Sequence, residues 1–392
     1  MAQRVDQLCA AERLRRDRLR DGESRVFVLK TRAALFRAVG QPFDVVEVDL
    51  REPRPDEVVV AMAAVGICGT DLHQVKGEFQ RPTPMVLGHE GAGVVEAVGS
   101  AVTGLAPGDE VVLSWAPSCG LCGDCLRGRP AACVPLHQAI GAGTLVDGTT
   151  GISFEGEMVY RGTATGALAE RVVVAAKAVL PTGGAIPLRE AALLGCAALT
   201  GVGSVLFAAR VTAGSSVLVL GGGGVGQFLV QGARIAGAAT IVCADPLEAR
   251  RAQALELGAT HAFDPDELAA GLARLAPEGA DYAFDAVGYP ETSVAALELT
   301  RSGGTCVIVG LPPVGSRLDL DPAQLTRREK FLTGTMYGSE DPAVALPLLI
   351  DHVNAGRLDL ASLVGPSYAL DDVNEAIEAS LGGSPGRVLV TP

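Results

Sequence analysis

Residues Val217-Leu218-Val219-Leu220-Gly221-Gly222-Gly223-Gly224-Val225-Gly226 decide the fold. An apolar run of strand type leads straight into G-x-G-x-x-G, and a helical pattern starts at Val225. In that context Gly221 permits the tight turn, Gly223 lets a pyrophosphate approach the backbone, and Gly226 lets the helix pack closely on the strand. Gly224 and Val225 complete a loop whose helix N-terminus offers unpaired N–H groups and the positive end of a dipole to phosphates. Working outward, a second strand runs from Thr240 to Ala244 and a helix starts at Leu247. Further strands follow at Asp281 to Ala286 and Thr305 to Gly310. Strands separated by helix-length segments imply right-handed βαβ units and an α/β, doubly wound parallel sheet.

The strand Thr240 to Ala244 ends in Asp245, at the spacing of an acid that binds the adenosine ribose hydroxyls. A carboxylate there repels a ribose 2′-phosphate and favours NAD over NADP. Arg250 and Arg251, one helical turn onward, keep NADP open. Upstream, from about Asp56 to Trp115, short β-rich runs (Glu57 to Ala61, Gly93 to Ala97, Glu110 to Leu113) are broken by Gly and Pro, the mark of a compact strand-rich domain. The stretch after about Gly338 is too short to fold alone and is expected to return to that domain.

Composition agrees with two domains. The chain has 392 residues, more than one hydrophobic core usually serves, and 48% of them are hydrophobic. Gly, Pro or charged residues interrupt every apolar run before membrane-spanning length. A formal charge of -13 leaves no basic surplus to neutralise phosphates, which excludes a nucleic-acid polyanion as the general partner. Residues 1–25 carry seven arginines but also Asp6, Glu12, Asp17, Asp21 and Glu23, without the apolar core of a secretory signal. Residues 1–28 are therefore read as a charged N-terminal extension, and the chain as cytoplasmic, with no membrane partner.

Nine cysteines in such a chain point to metal or buried thiols rather than disulfides. Cys119-x2-Cys122-x2-Cys125-x7-Cys133 places four thiols on one loop, the pattern of a closed, all-sulfur structural zinc site. Such a site contributes folding free energy to a loop with little core of its own. A second set, Cys68, His89 and Cys196, is dispersed along the chain. Two thiolates and one imidazole make the ligand set of a catalytic zinc that keeps a fourth position open, but the sequence alone leaves their convergence undecided.

The run from Gly88 through His89, Glu90, Gly93, Gly99 and Val102 resembles the zinc signature of the medium-chain alcohol dehydrogenases. The resemblance runs from about Thr31 to Pro392 and takes in the four-cysteine loop, the glycine loop, Gly303-Gly304-Thr305, Val309-Gly310-Leu311 and Gly386-Arg387. It implies a strand-rich, GroES-like catalytic domain over 29–197 and 338–392 and a Rossmann NAD-binding domain over 198–337. It also implies one catalytic zinc on Cys68, His89 and Cys196 and one structural zinc on the cysteine loop. Asp71 would orient His89, and Glu90 would stand behind the metal and approach it during ligand exchange. Thr70 resembles the first group of a proton relay and His73 its outer base. Val287, Val309, Leu311, Arg250 and Arg387 join the glycine loop as expected nucleotide contacts.

By the same resemblance Trp115 stands on the substrate-pocket wall, with Gly162 and Thr163 opposite where larger residues often lie; a purely structural Trp115 is the alternative. Gly69 departs from the family, standing where many relatives carry a basic residue that contacts the pyrophosphate. The implied activity is hydride transfer between a small alcohol and NAD, giving an aldehyde or ketone, or the reverse. Thiol-dependent formaldehyde oxidation, biosynthetic carbonyl reduction, a nucleotide retained for an external acceptor, and an idle nucleotide sensor are the alternatives. The long segment from Cys133 to about Ala169 resembles the dimeric members, so a homodimer built partly on the coenzyme-domain sheet is expected.

Overall fold

The computed structural model describes residues 28–392. The expected N-terminal extension lies outside the described residues, apart from Val28, which opens the first strand.

Six strands form a fully parallel sheet in the order His261–Phe263, Thr240–Ala244, Ser216–Leu220, Ala280–Asp285, Thr300–Ile308, Phe331–Gly334. The strands are apolar throughout, Val217, Leu218 and Val219 being almost wholly buried, because helices cover both faces. From Ser216–Leu220 the chain winds to one side and then crosses to the other, so the point of reversal lies between Ser216–Leu220 and Ala280–Asp285. In an open α/β sheet the ligand crevice lies at such a point, and Gly221–Gly226 occupies it.

The glycine loop has the backbone its sequence requires. Gly221 is in the left-handed region at φ +91°. A Cβ at Gly223 would meet open space, and one at Gly226 would overlap the Gly221 carbonyl. The helix Gly224–Ile235 follows at once. Several strands are longer than expected: Glu57–Gly66 runs five residues past Ala61, Glu90–Val98 begins three before Gly93, and one strand of the parallel sheet begins at Thr300 rather than Thr305. Gly303, at φ +72°, and Gly304, where a Cβ would crowd the Ala280 and Asp281 carbonyls, let the strand pass through an irregularity and pair earlier.

The other sheets are mostly antiparallel. Glu57–Gly66 is the central strand of one of them, bonded to Glu90–Val98, to Arg171–Ala175 and to Arg387–Thr391. The C-terminal strand thus closes onto the first part of the chain, with Leu389 opposite Gly66. The same Gly66 stands opposite Glu90. The apolar pair Leu188–Gly195 and Ala197–Ala208, bent by 52°, leads to the parallel sheet and is mostly buried. Gly201 in it lies so close to Phe228 and Val225 of the helix Gly224–Ile235 that a Cβ would clash. Among the described residues no single helix is long and apolar enough to cross a membrane.

Overpacking at the glycine turn is the direct test of this construction. Gly226→Ala is expected to cost about 1–3 kcal/mol, a fall in apparent Tm of roughly 3–10 °C for a unit of this size. An unchanged melting curve would contradict the packing described.

Candidate active site and metal centres

Cys68 caps the helix Gly69–Val75 directly after the central strand, and the turn is tied by its own acid, since the Cys68 N–H donates to Asp71 Oδ2 at 3.0 Å. The other Asp71 oxygen accepts from the Gly88 N–H at 3.1 Å and lies 3.2 Å from His89 Nδ1. Gly88, at φ +87°, turns the chain so that His89 enters the core, where a Cβ on Gly88 would strike Leu168. Cys196 comes from the bend that starts the helix Ala197–Gly203. The three residues, dispersed in sequence, converge: Cys68 Sγ and Cys196 Sγ are 3.9 Å apart, and the possible ligand atoms of Cys68, His89 and Cys196 all lie within 4.8 Å of one another.

The donor set fits zinc. Two sulfurs bound tetrahedrally at 2.3 Å stand about 3.8 Å apart, close to the spacing found. The Asp71 bond fixes Nδ1 of His89 and leaves the other ring nitrogen for a metal. Burial opposes a charged His89, yet Asp71 and the Cys68 sulfur outweigh it and push the imidazole up to about 10. Its hydrogen bond with Cys196, helped by Arg387, holds Cys68 well below the usual thiol range, while Cys196 is pushed up. Cys68 is thus the ligand already favoured as thiolate, while Cys196 and His89 must give up their protons when a metal binds.

Behind the cluster lies a feature that sequence reading missed. Glu90, wholly buried, receives two bonds from Arg387, at 2.7 and 3.0 Å, and a third from the Ala197 N–H at 3.2 Å. Arg387 also donates to the Ile67 carbonyl at 3.1 Å, and its guanidinium faces Gly224 of the glycine loop. Only a glycine at position 66 leaves Glu90 room, because a Cβ there would overlap its carboxylate.

The cysteine loop is a second cluster. Cys119, Cys122, Cys125 and Cys133 bring their sulfurs together, with Cys122–Cys125 at 3.5 Å and Cys119–Cys125 at 3.9 Å. Backbone N–H groups of Leu121 and Cys122 point at the Cys119 sulfur and favour the thiolate, and the Cys125 N–H does the same for Cys122, lowering it to about 6. Burial pushes Cys133 up to about 11. All four positions being protein sulfur, the cluster fits a closed structural zinc.

The first cluster and the glycine loop open onto one cleft of about 240 Å³. Thr70, His73, Trp115, Thr163, Gly223–Gly226, Val287, Val309, Leu311 and Arg387 line it, as do Cys68, His89 and Cys196. Thr70 Oγ1 lies 3.9 Å from Cys68 Sγ, and His73 is paired through Nδ1 with Glu78. Trp115 meets the His89 ring edge-on at 6.3 Å and Tyr337 at 4.5 Å. Thr163, a β-branched residue, is held in left-handed backbone at φ 49°, a conformation that costs about 1–3 kcal/mol and persists only where the surroundings enforce it.

Three expectations need correction or refinement. Gly162 does not line the cleft; a Cβ there would press into Leu87, so its smallness serves packing. Asp245 and Arg250 stand outside this cleft. The Asp245 carboxylate is spent on the Gly222 and Leu247 N–H groups at 2.8 and 2.9 Å, with Arg250 3.6 Å away. Arg250 lines a small adjoining pocket with Gly222, Gly223 and Gly224. Arg81, Ile140, Thr200 and Tyr337 also line the main cleft and were missed. Each sits in sequence without motif or periodicity that would single it out.

A glycine loop at the switch point of a doubly wound sheet, facing a buried Cys2His cluster across a cleft, defines a zinc-type dehydrogenase. The chain belongs to the zinc-type, medium-chain alcohol dehydrogenase family: residues 54–184 match the alcohol dehydrogenase GroES-like domain and residues 224–351 match the zinc-binding dehydrogenase domain. It is 39% identical to the NDMA-dependent alcohol dehydrogenase of Amycolatopsis methanolica over 89% of this chain and 95% of that protein. Among solved structures it resembles an alcohol dehydrogenase zinc-binding domain protein from Burkholderia ambifaria (34% identity, TM-score 0.88, 93% and 99% of the two chains). It also resembles benzyl alcohol dehydrogenase from Acinetobacter calcoaceticus (30% identity, TM-score 0.87, 93% and 99%).

Asp71→Asn is expected to weaken zinc binding at the Cys68 cluster by about 10- to 100-fold while the cysteine-loop metal stays; competition with a chromogenic chelator measures it, and unchanged affinity would refute the orienting role. Cys125→Ser is expected to remove one of two zinc ions per chain and to lower the apparent Tm. Two ions retained by elemental analysis would refute the closed site.

Proposed function

We propose that this chain is an NAD-linked alcohol dehydrogenase that oxidises a primary or secondary alcohol to its aldehyde or ketone, or runs the reverse reaction. The observation that carries the reading is the opening of the Cys68–His89–Cys196 cluster and the Gly221–Gly226 loop onto a single cleft. Zinc held there by Cys68, His89 and Cys196 would supply a Lewis acid for loss of an alcohol proton near neutral pH, and a nicotinamide on the glycine loop would supply the hydride acceptor.

The chain's own residues do the rest. Thr70 is placed beside Cys68 to accept the hydroxyl proton, and the His73–Glu78 pair on the same helix side is the outward acceptor. Asp71 sets the His89 ring, and Glu90 with Arg387 supports the Cys68 side of the cluster. Gly223, Gly224 and the helix N-terminus receive the pyrophosphate, with Arg387 beside Gly224. Trp115, Ile140 and Tyr337 give one wall an apolar, aromatic character suited to a ring or branched chain.

Asp245 supports NAD over NADP. The glycine turn and Leu247 hold its buried carboxylate in place, and that charge, even with Arg250 3.6 Å away, disfavours a 2′-phosphate. The edge strand Phe331–Gly334, with Phe331 63% exposed, supports a homodimer joined through the parallel sheet. A second reading, a nucleotide retained through turnover and recycled by an external acceptor, has the name of the Amycolatopsis relative in its favour.

The deciding measurement is turnover of an alcohol panel by metal-quantified enzyme with NAD, NADP or an artificial acceptor, with and without added thiol. NAD reduction is expected. Nucleotide surviving gel filtration, with turnover by the acceptor and none by added NAD, would select the second reading. Asp245→Asn, which keeps the shape and removes the charge, is expected to shift kcat/KM towards NADP by roughly tenfold. An unmoved ratio would take Asp245 out of cofactor selection.

A further inference from the structure

Among the groups lining the cleft, Arg81 is the one charge that the protein itself does not answer. Arg387 is bonded to Glu90 and His73 to Glu78, whereas no carboxylate among the described residues forms an ion pair with Arg81. Neither an Asp nor a Glu lines the cleft. The nearest acidic influence on Arg81 is Asp71, whose oxygens are already taken by Cys68, Gly88 and His89. Burial pulls the guanidinium below its usual range, which marks how poorly water and protein together solvate it.

The side chain is nevertheless held in place. Its Cζ lies 5.1 Å from the centroid of the Phe79 ring, and its Nη1 donates to the Thr163 hydroxyl at 3.3 Å. Thr163 presents that hydroxyl from left-handed backbone. Stacked on one face and pinned at one nitrogen, the guanidinium keeps the rest of its N–H fork free. A fixed, half-buried fork without a carboxylate is a receptor for a planar anion, which it takes by two parallel hydrogen bonds.

We propose that the substrate is an alcohol or aldehyde carrying a carboxylate, and that Arg81, positioned by Thr163 and Phe79, binds that carboxylate while the hydroxyl end lies at the Cys68–His89–Cys196 cluster. This inference rests on the dehydrogenase reading above and names its substrate class. Trp115, Ile140 and Tyr337 offer an apolar surface for the body of such a molecule. The net charge of -13 opposes an anion at long range, but salt screens that field beyond about 8 Å. Within the cleft the local cation governs. The nucleotide phosphates are the other anion at hand, and they have Arg387 and the glycine loop.

The test uses zinc-loaded enzyme and matched pairs: 4-(hydroxymethyl)benzoate against benzyl alcohol, and 4-hydroxybutanoate against 1-butanol. The acid is expected to exceed its neutral partner in kcat/KM, and Arg81→Gln to reduce that preference by about 10- to 100-fold. Arg81→Lys, which keeps charge and loses the fork, is expected to retain part of it. Calorimetry with 4-methylbenzoate reads the same contact without turnover, and the Gln variant is expected to bind it correspondingly weaker. An acid preference that survives Arg81→Gln, or turnover of the neutral alcohols alone, overturns the proposal and leaves the dehydrogenase standing. Weakened NADH binding in the variant with an unchanged acid preference also overturns it, assigning Arg81 to the cofactor. Should none of the four compounds turn over with NAD, NADP or the artificial acceptor, the dehydrogenase reading fails for these alcohols, and 4-methylbenzoate binding still decides whether Arg81 is a carboxylate site.

Discussion

The buried pair of Glu90 and Arg387 is the constraint on which the arrangement of the site depends. Two charges taken out of water incur several kcal/mol of desolvation each, and their attraction repays this only when the geometry is good and the remaining lone pairs are used. Here both carboxylate oxygens meet the guanidinium and one also accepts from Ala197, while Arg387 reaches the Ile67 carbonyl. The pair thereby links the strand after His89, the residue before Cys68, the residue after Cys196 and the C-terminal strand. Cys68, His89 and Cys196 are each within one residue of this pair or of something it touches.

That linkage explains why the C-terminal strand is laid against Glu57–Gly66. Without Arg387–Thr391 in register at Leu389 and Gly66, Glu90 would lose the guanidinium that answers its buried carboxylate. Gly66 is the hinge of this economy: it sits opposite both Glu90 and Leu389, and only its missing side chain lets the carboxylate lie across the strand. The guanidinium then faces Gly224, so one side chain lies between the metal cluster and the glycine loop.

The two metal clusters show opposite uses of sulfur. The cysteine loop gathers its four donors from fifteen consecutive residues and orders them with nearby backbone N–H groups, so its geometry is a local property. The Cys68–His89–Cys196 cluster draws on three separate elements, buries all three possible donors, and is framed by Asp71 and the Glu90–Arg387 pair. A closed local site suits a scaffold, and an assembled one with a free direction into a cleft suits chemistry.

Some of this was fixed by the amino-acid order alone. Thr240–Ala244 and Glu110–Leu113 have the bounds their apolar runs foretell, the helix after Leu220 starts within a residue of Val225, and the four-cysteine spacing foretells the gathering of its sulfurs, because each signal spans only a few neighbouring residues. Tertiary structure decided the remainder. Glu90 and Arg387 are 297 residues apart, Tyr337 reaches back to the Gly195 carbonyl at 2.6 Å, and Arg81 meets Thr163 only because two loops are folded against each other. Gly162 and Thr163, adjacent in sequence, were separated the same way, one buried under Leu87 and the other facing the cleft. A chain records its local turns and spacings directly, whereas which buried charges find partners, and which one is left for a ligand, depends on contacts that exist only once the core has closed.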